Sequence, residues 1–161
     1  MTRMLAMAFL FFAGLAHAGV KRGDKMPGFT LAALKGGKVA SSSWQGKVVL
    51  IDFWAEWCEP CRRELPELEK LSRELAAKGV VVVSVNIDKS RDHAEKLVKD
   101  AGVTFPVLLD PSGDVAGTFD LPKMPSSYLI DKTGKVRFVH EGYEGVQDIE
   151  RFRKEIADLL R

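Results

Sequence analysis

Val48 to Leu65 reads VVLIDFWAEWCEPCRREL, and the fold turns on how this stretch divides. Its first part, Val48 to Trp54, is an almost continuous run of aliphatic and aromatic residues broken by one acid, Asp52. That is the pattern of a central strand covered on both faces. The second part passes through Trp57-Cys58-Glu59-Pro60-Cys61 into Leu65, Leu68, Leu71 and Leu75, which recur at helical spacing up to a stop at Gly79. Pro66 falls inside that helix, where a proline removes one backbone bond and is expected to kink it. The only two cysteines among 161 residues therefore sit at the junction of a strand and a helix.

That junction suits thiol–disulfide exchange, which needs a thiolate, access for a second sulfur, and another thiol to resolve the mixed disulfide. At a helix N-terminus the dipole and free backbone amides favour the anion on the first cysteine, lowering its pKa below the usual value of about 8.5. Cys58 is read as the exposed nucleophile, and Cys61, one turn in and more buried, as the resolving thiol. Pro60 fits an early helical position, where its missing N–H costs little. A purely structural disulfide usually closes a longer loop, because two intervening residues constrain almost nothing in the unfolded chain. A structural zinc site needs about four ligands, and beyond the first eighteen residues only His93 and His140 could join the pair. No metal and no other cofactor is expected besides the redox-active Cys58–Cys61 disulfide.

Outward from this stretch, Val80 to Ile87 (VVVVSVNI) reads as a second buried strand. Two such strands joined by a helix form a βαβ unit with parallel strands. Ala94, Leu97, Val98 and Ala101 mark the next helix, closed by Gly102, and Phe105 to Leu109 a short strand. Val115 and Phe119 suggest a turn or two of helix. Ser126 to Ile130 and Lys135 to His140 flank Asp131-Lys132-Thr133-Gly134 as a hairpin. Ile149, Phe152, Ile156 and Leu159 mark a C-terminal amphipathic helix. Upstream, Phe29 to Leu34 and Lys38 to Ser41 flank Gly36-Gly37 as a short N-terminal β-hairpin. The order implies an α/β fold: a central mixed β-sheet with helices on both faces and an N-terminal hairpin extension.

The first eighteen residues stand apart. Arg3 precedes an uncharged run from Met4 to Ala16, and Ala16-His17-Ala18 places small residues where a signal peptidase reads them. The run is shorter than the roughly 20 residues that span a bilayer comfortably. Residues 1–18 are expected to be a signal peptide cleaved after Ala18, residues 19–28 a linker, and residues 29–161 one domain. The rival is an uncleaved N-terminal membrane anchor. Composition is ordinary for a globular protein, with 46% hydrophobic and 29% charged residues. A formal net charge of +2 is too near neutral to argue for nucleic acid as a partner.

Asp52-Phe53-Trp54-Ala55-Glu56-Trp57-Cys58-x-Pro60-Cys61 resembles the active-site segment of thioredoxins. The export signal, the Cys-Glu-Pro-Cys form and Glu64 resemble the TlpA/ResA group of extracytoplasmic thioredoxin-like proteins. Met124-Pro125-Ser126-Ser127-Tyr128-Leu129-Ile130-Asp131 resembles that group's stretch around a cis-proline. The likeness runs from about Phe29 to the C-terminus and implies a thioredoxin-like fold. It implies that Pro125 and Met124 hold substrate backbone opposite the disulfide, with Trp57 and Pro60 on the same substrate face. It also implies that Asp52 relays a proton to or from the resolving cysteine, and that Glu64 is the active-site glutamate. An acid alone in an apolar strand, as Asp52 is, should have a raised pKa.

The resemblance implies a periplasmic monomer that exchanges disulfides with client proteins, apocytochrome c among the candidates, and is recharged by a membrane thiol carrier. Asp52, Glu59 and Glu64 near the cysteines should disfavour the thiolate and lower the potential, which points to a reductant. Two other readings stand beside it. One is a binding module without catalysis, such as a metallochaperone, although a copper site would be expected to use wider cysteine spacing with a histidine. The other is a peroxiredoxin-like peroxidase, although Ala55 stands where peroxiredoxins carry a threonine three residues before the reactive cysteine.

Overall fold

A computed structural model describes residues 19–161. The expected signal peptide lies outside the described residues. Strands β1 (Thr30–Ala33) and β2 (Lys38–Ala40) form the expected N-terminal hairpin. Then follow β3 (Val49–Trp54), α1 (Glu59–Leu75), β4 (Val81–Asn86), α2 (Arg91–Asp100), β5 (Val107–Leu109), α3 (Asp114–Phe119), β6 (Ser126–Ile130), β7 (Val136–Glu141) and α4 (Val146–Leu160). The seven strands form one mixed sheet in the order β2-β1-β5-β4-β3-β6-β7. Strands β3, β4 and β5 are parallel, and the outer pairings are antiparallel.

Every residue of β3 is buried, as its near-continuous apolar run requires. Alternation along the strand divides the core in two. Leu50 and Trp54 face Leu65, Leu68, Leu71 and Leu75 of α1, with residues of α2 and α4. Val49, Ile51 and Phe53 face the other way, onto Trp44, Tyr128 and Phe119 of α3. Helices thus cover both faces, three on one and the short α3 on the other. Each fully buried leucine of α1 contributes about 2 kcal/mol of transfer free energy. The helix runs through Pro66 without a break and gives way at Gly79, whose φ of 71° suits a residue with no Cβ.

The segment expected to be a linker, residues 19–28, is tied by backbone bonds to α3 and to the start of β7. The Val20 N–H donates to the Phe119 carbonyl (3.2 Å), Gly23 to Val136 (2.8 Å) and Met26 to Gly134 (2.9 Å), and Lys25 bridges Lys135. Backbone bonds of this kind leave no side-chain period to read. They also cover part of the outer edge of β7, which would otherwise present unpaired backbone groups.

Candidate active site

Cys58 and Cys61 are joined as a disulfide, with an S–S distance of 2.04 Å and α-carbons 5.3 Å apart. The end of β3 delivers the chain to the N-terminus of α1, where Cys58 is the N-cap residue and Pro60 stands in the first turn. The Cys58 sulfur accepts the Cys61 N–H at 3.3 Å, so the cap itself is a sulfur atom. Cys58 is 4% exposed and Cys61 0%. The asymmetry has the expected sense, but in this oxidised state Cys58 is far less open than the sequence reading supposed. Beside them the Trp57 ring is 66% exposed.

The loop between β3 and α1 is braced from the neighbouring strand. Asp88 Oδ2 accepts the Glu56 N–H (2.8 Å) and the Asn86 amide (2.7 Å), and the Ile87 N–H donates to the Trp54 carbonyl (3.0 Å). On the other side β6 enters the sheet with Ser126 opposite Phe53. The preceding Met124–Pro125 peptide is cis. It lies at the same end of β3 as the disulfide, and Met124 packs against the cluster that contains both cysteines.

Two buried carboxyl groups lie between β3 and α1, Asp52 on the strand and Glu64 on the helix. Asp52 falls on the same face of β3 as Leu50 and Trp54, toward α1, and is 1% exposed. Ser127, its register partner on β6, donates to Oδ1 at 2.8 Å, while Oδ2 has no partner among the described residues. Burial pushes its carboxyl up to about 8, against the smaller opposing effect of the Ser127 hydrogen bond. Glu64, on α1, is 0% exposed, and neither of its oxygens has a described partner. Burial first, then the charges of Asp52 and Asp148, raise its carboxyl well above the usual range. Tyr143 packs into the same core, with the Arg63 guanidinium 5.9 Å from its ring centre.

This alters the expected electrostatics. Of the three acids counted in the sequence, Asp52 is pushed up to about 8 by burial and Glu64 is raised well above the usual carboxylate range. The third, Glu59, is exposed and lies 3.6 Å from Arg63. Burial of the sulfurs thus joins these acids in opposing a thiolate, against the pull of the α1 N-terminus.

The structure thus gathers Asp52, Trp57, Cys58, Pro60, Cys61, Glu64, Met124 and Pro125 around one end of β3. Sequence reasoning missed Asp88, Ser127, Tyr143 and Asp148. Ser127 was within reach of it, two residues past Pro125 in a strand paired with β3, whereas the others depend on tertiary contacts. His140, weighed above only as a partner for the cysteines, is largely buried far from them in sequence, 2.6 Å from Glu155 and edge-on to the Phe152 ring at 4.8 Å between centres.

A cysteine pair capping the helix after the central strand, with a cis-proline turn at the same end of a mixed sheet, defines a thioredoxin-like thiol–disulfide oxidoreductase. The chain belongs to the AhpC/TSA family, whose profile matches residues 22–139. It is 34% identical over 134 residues to the thiol-disulfide oxidoreductase ResA of Geobacillus kaustophilus, covering 83% of this chain and 77% of that one. It is 35% identical over 138 residues to the thioredoxin-like protein YneN of Bacillus subtilis, covering 84% and 80%. Among solved structures it resembles a Chlorobium tepidum protein described as thiol:disulfide interchange protein DsbE. That match has a TM-score of 0.83 and 36% identity, and covers 89% of this chain and all of that one.

Proposed function

We propose that this protein works outside the cytoplasm as a reductant of disulfides in client proteins, with the Cys58–Cys61 pair as its only redox group. The observation that carries this reading is the cysteine pair set at a helix N-terminus, with two buried carboxyls of raised pKa between β3 and α1. Similarity to proteins named ResA and DsbE supports it. Ala16-His17-Ala18 supports export, and among the described residues no helix is long and apolar enough to cross a membrane.

In the reduced protein the Cys58 thiolate, favoured by the α1 N-terminus, attacks one sulfur of a client disulfide. A mixed disulfide forms and the first client thiolate leaves. Asp52 or Glu64, whichever is ionised in the mixed disulfide, takes the proton of the Cys61 thiol, and the Cys61 sulfur attacks Cys58. That step re-forms the Cys58–Cys61 bond and releases the second client thiolate, so two electrons have passed to the client. Trp57, Pro60, Met124 and Pro125 form the face that meets client backbone. A membrane thiol carrier restores the dithiol, and the protein acts as a monomer. Apocytochrome c, with its paired cysteines, is a client of the right chemistry.

Replacing Cys61 with serine removes the resolving sulfur, so Cys61→Ser should accumulate covalent adducts on Cys58 that dithiothreitol releases. Cys58→Ser should accumulate none, and equal trapping by both variants would contradict the assignment. Mass spectrometry of the released partners identifies the client.

A further inference from the structure

A cavity of about 620 Å³ beside β7 takes no part in the thiol chemistry, and Gly19, Asp120, Tyr128 and Glu141 contribute to its wall. Most of its other charges are committed. Arg137 pairs with Asp131 (3.2 Å), Arg151 with Asp148 (3.4 Å) and His140 with Glu155 (2.6 Å). Arg22 lies 5.5 Å from the centre of the Phe138 ring, and Lys21 is the remaining cation of the rim. Among the described residues no side chain pairs with the carboxylate of Asp120 or Glu141. The Tyr128 hydroxyl, on a fully buried side chain, has no partner there either. Burial, then the charges of Glu141 and Asp120, push that phenol up to about 12, so both acids bear on it. A wall with two uncommitted carboxylates and an orphaned hydroxyl oxygen suits a cation with several donors.

The chain itself supplies the place for one. The Val20 N–H donates to the Phe119 carbonyl (3.2 Å), which brings Gly19 against Asp120. A methyl group on Gly19 would stand 2.4 Å from Asp120 Cβ, 2.8 Å from the Phe119 oxygen and 3.2 Å from Asp120 Oδ2. No side chain fits there, and the nitrogen of Gly19 is one bond from the same α-carbon. Asp120 holds this position with a φ of 51°, a left-handed conformation uncommon outside glycine. Immediately upstream stands Ala16-His17-Ala18, small residues at both positions a signal peptidase reads.

We propose that the cavity is the seat of the mature N-terminus: export processing cuts after Ala18, and the α-ammonium of Gly19 binds Asp120, with Glu141 and the Tyr128 oxygen as further acceptors. Signal-peptidase hydrolysis of the Ala18–Gly19 bond consumes one water and leaves a carboxylate on Ala18 and an ammonium on Gly19. The uncut chain offers only an uncharged amide N–H at that point. The proposal rests on the exported reading above, and its two halves are tested separately.

Intact-mass analysis of protein recovered from the envelope of an exporting host should show a chain beginning at Gly19. An uncut chain, or one cut elsewhere, overturns the processing half. Docking is read on a chain prepared directly with a free Gly19 amine, from an NMR titration of the Gly19 α-carbon. Beside Asp120 the amine should titrate about one unit above the ordinary value near 8. Asp120→Asn should remove most of that shift, and Glu141→Gln a smaller part of it. Acetylating Gly19 should lower the thermal midpoint of the parent chain but not that of Asp120→Asn. An ordinary Gly19 pKa, unmoved by Asp120→Asn in a folded protein, overturns the docking.

Discussion

Ser127 donates a hydrogen bond to Asp52 across the β3–β6 ladder at 2.8 Å, and it occupies only one of the two carboxyl oxygens. The other, Oδ2, is sealed in the protein with no described partner. A single hydroxyl is too little to offset the lost hydration of a carboxylate, so Asp52 keeps its proton up to about pH 8. The pair makes Asp52 a proton store held in a fixed orientation, on the face of β3 that looks toward Cys61 and Glu64.

Proton storage here carries a stability cost with a definite sign. Because the folded pKa lies above the unfolded one, the unfolded chain loses its proton first as pH rises. Stability is therefore greatest below the unfolded value of 3.8 and falls as pH climbs to about 8. Asp52→Asn, which retains an acceptor for Ser127, should stabilise the oxidised protein at pH 7 by on the order of 2–4 kcal/mol. Chemical denaturation of both proteins at pH 5, 7 and 9 checks this, with the difference growing from pH 5 to 7. The same variant, and Glu64→Gln, should slow insulin reduction roughly 10- to 100-fold, within the range of lost acid–base catalysis. An unchanged pH profile in both variants would remove the carboxyls from the mechanism.

Glu69 illustrates the opposite sign. Burial alone would raise its carboxyl, but hydrogen bonds from the Thr104 hydroxyl and N–H, Arg73 and the Phe105 N–H hold it at about 2. That stabilisation is present above the unfolded value of 4.5 and is lost as pH falls toward 2. Glu69→Gln should cost about 2–3 kcal/mol at pH 7. The difference from the parent should shrink below pH 4 in thermal melts.

Trp57 presents a large ring to solvent beside the disulfide, where it supports little of the core. Trp57→Ser should leave the thermal midpoint within a degree or two and raise the KM for protein disulfides severalfold with kcat less affected. A loss of several degrees would mean the ring is structural.

Much of this was open to reading because the decisive features are local. The run from Val48 to Trp54 is apolar on both faces, and the leucines of α1 keep a strict period, so strand, helix and the cysteines at their junction follow from pattern alone. Asp52 stood out because an acid is foreign to such a strand. What stayed hidden depends on contacts between distant segments. Gly19 to Pro27 is held by backbone bonds to Phe119, Gly134 and Val136 that leave no trace in side-chain pattern. Tyr143 and Asp148 reach the surroundings of Glu64 only because α4 packs beside α1. His140 looks like any polar residue near a strand end until Phe152 and Glu155 are brought against it. The raised pKa of Glu64 likewise needed its burial, since a count of acids suggested negative charge where the fold makes ionisation costly.

The central claim is that this dithiol gives electrons to client disulfides, and the most direct test is its equilibrium potential. Purified protein is equilibrated in graded dithiothreitol buffers at pH 7, and the Cys58–Cys61 disulfide is quantified by thiol labelling. With both sulfurs buried, which offsets the favour of the α1 N-terminus for the thiolate, the potential should fall near that of thioredoxin, about −270 mV. A value near about −120 mV, that of the strong oxidant DsbA, would contradict the account and make the protein a donor of disulfides instead.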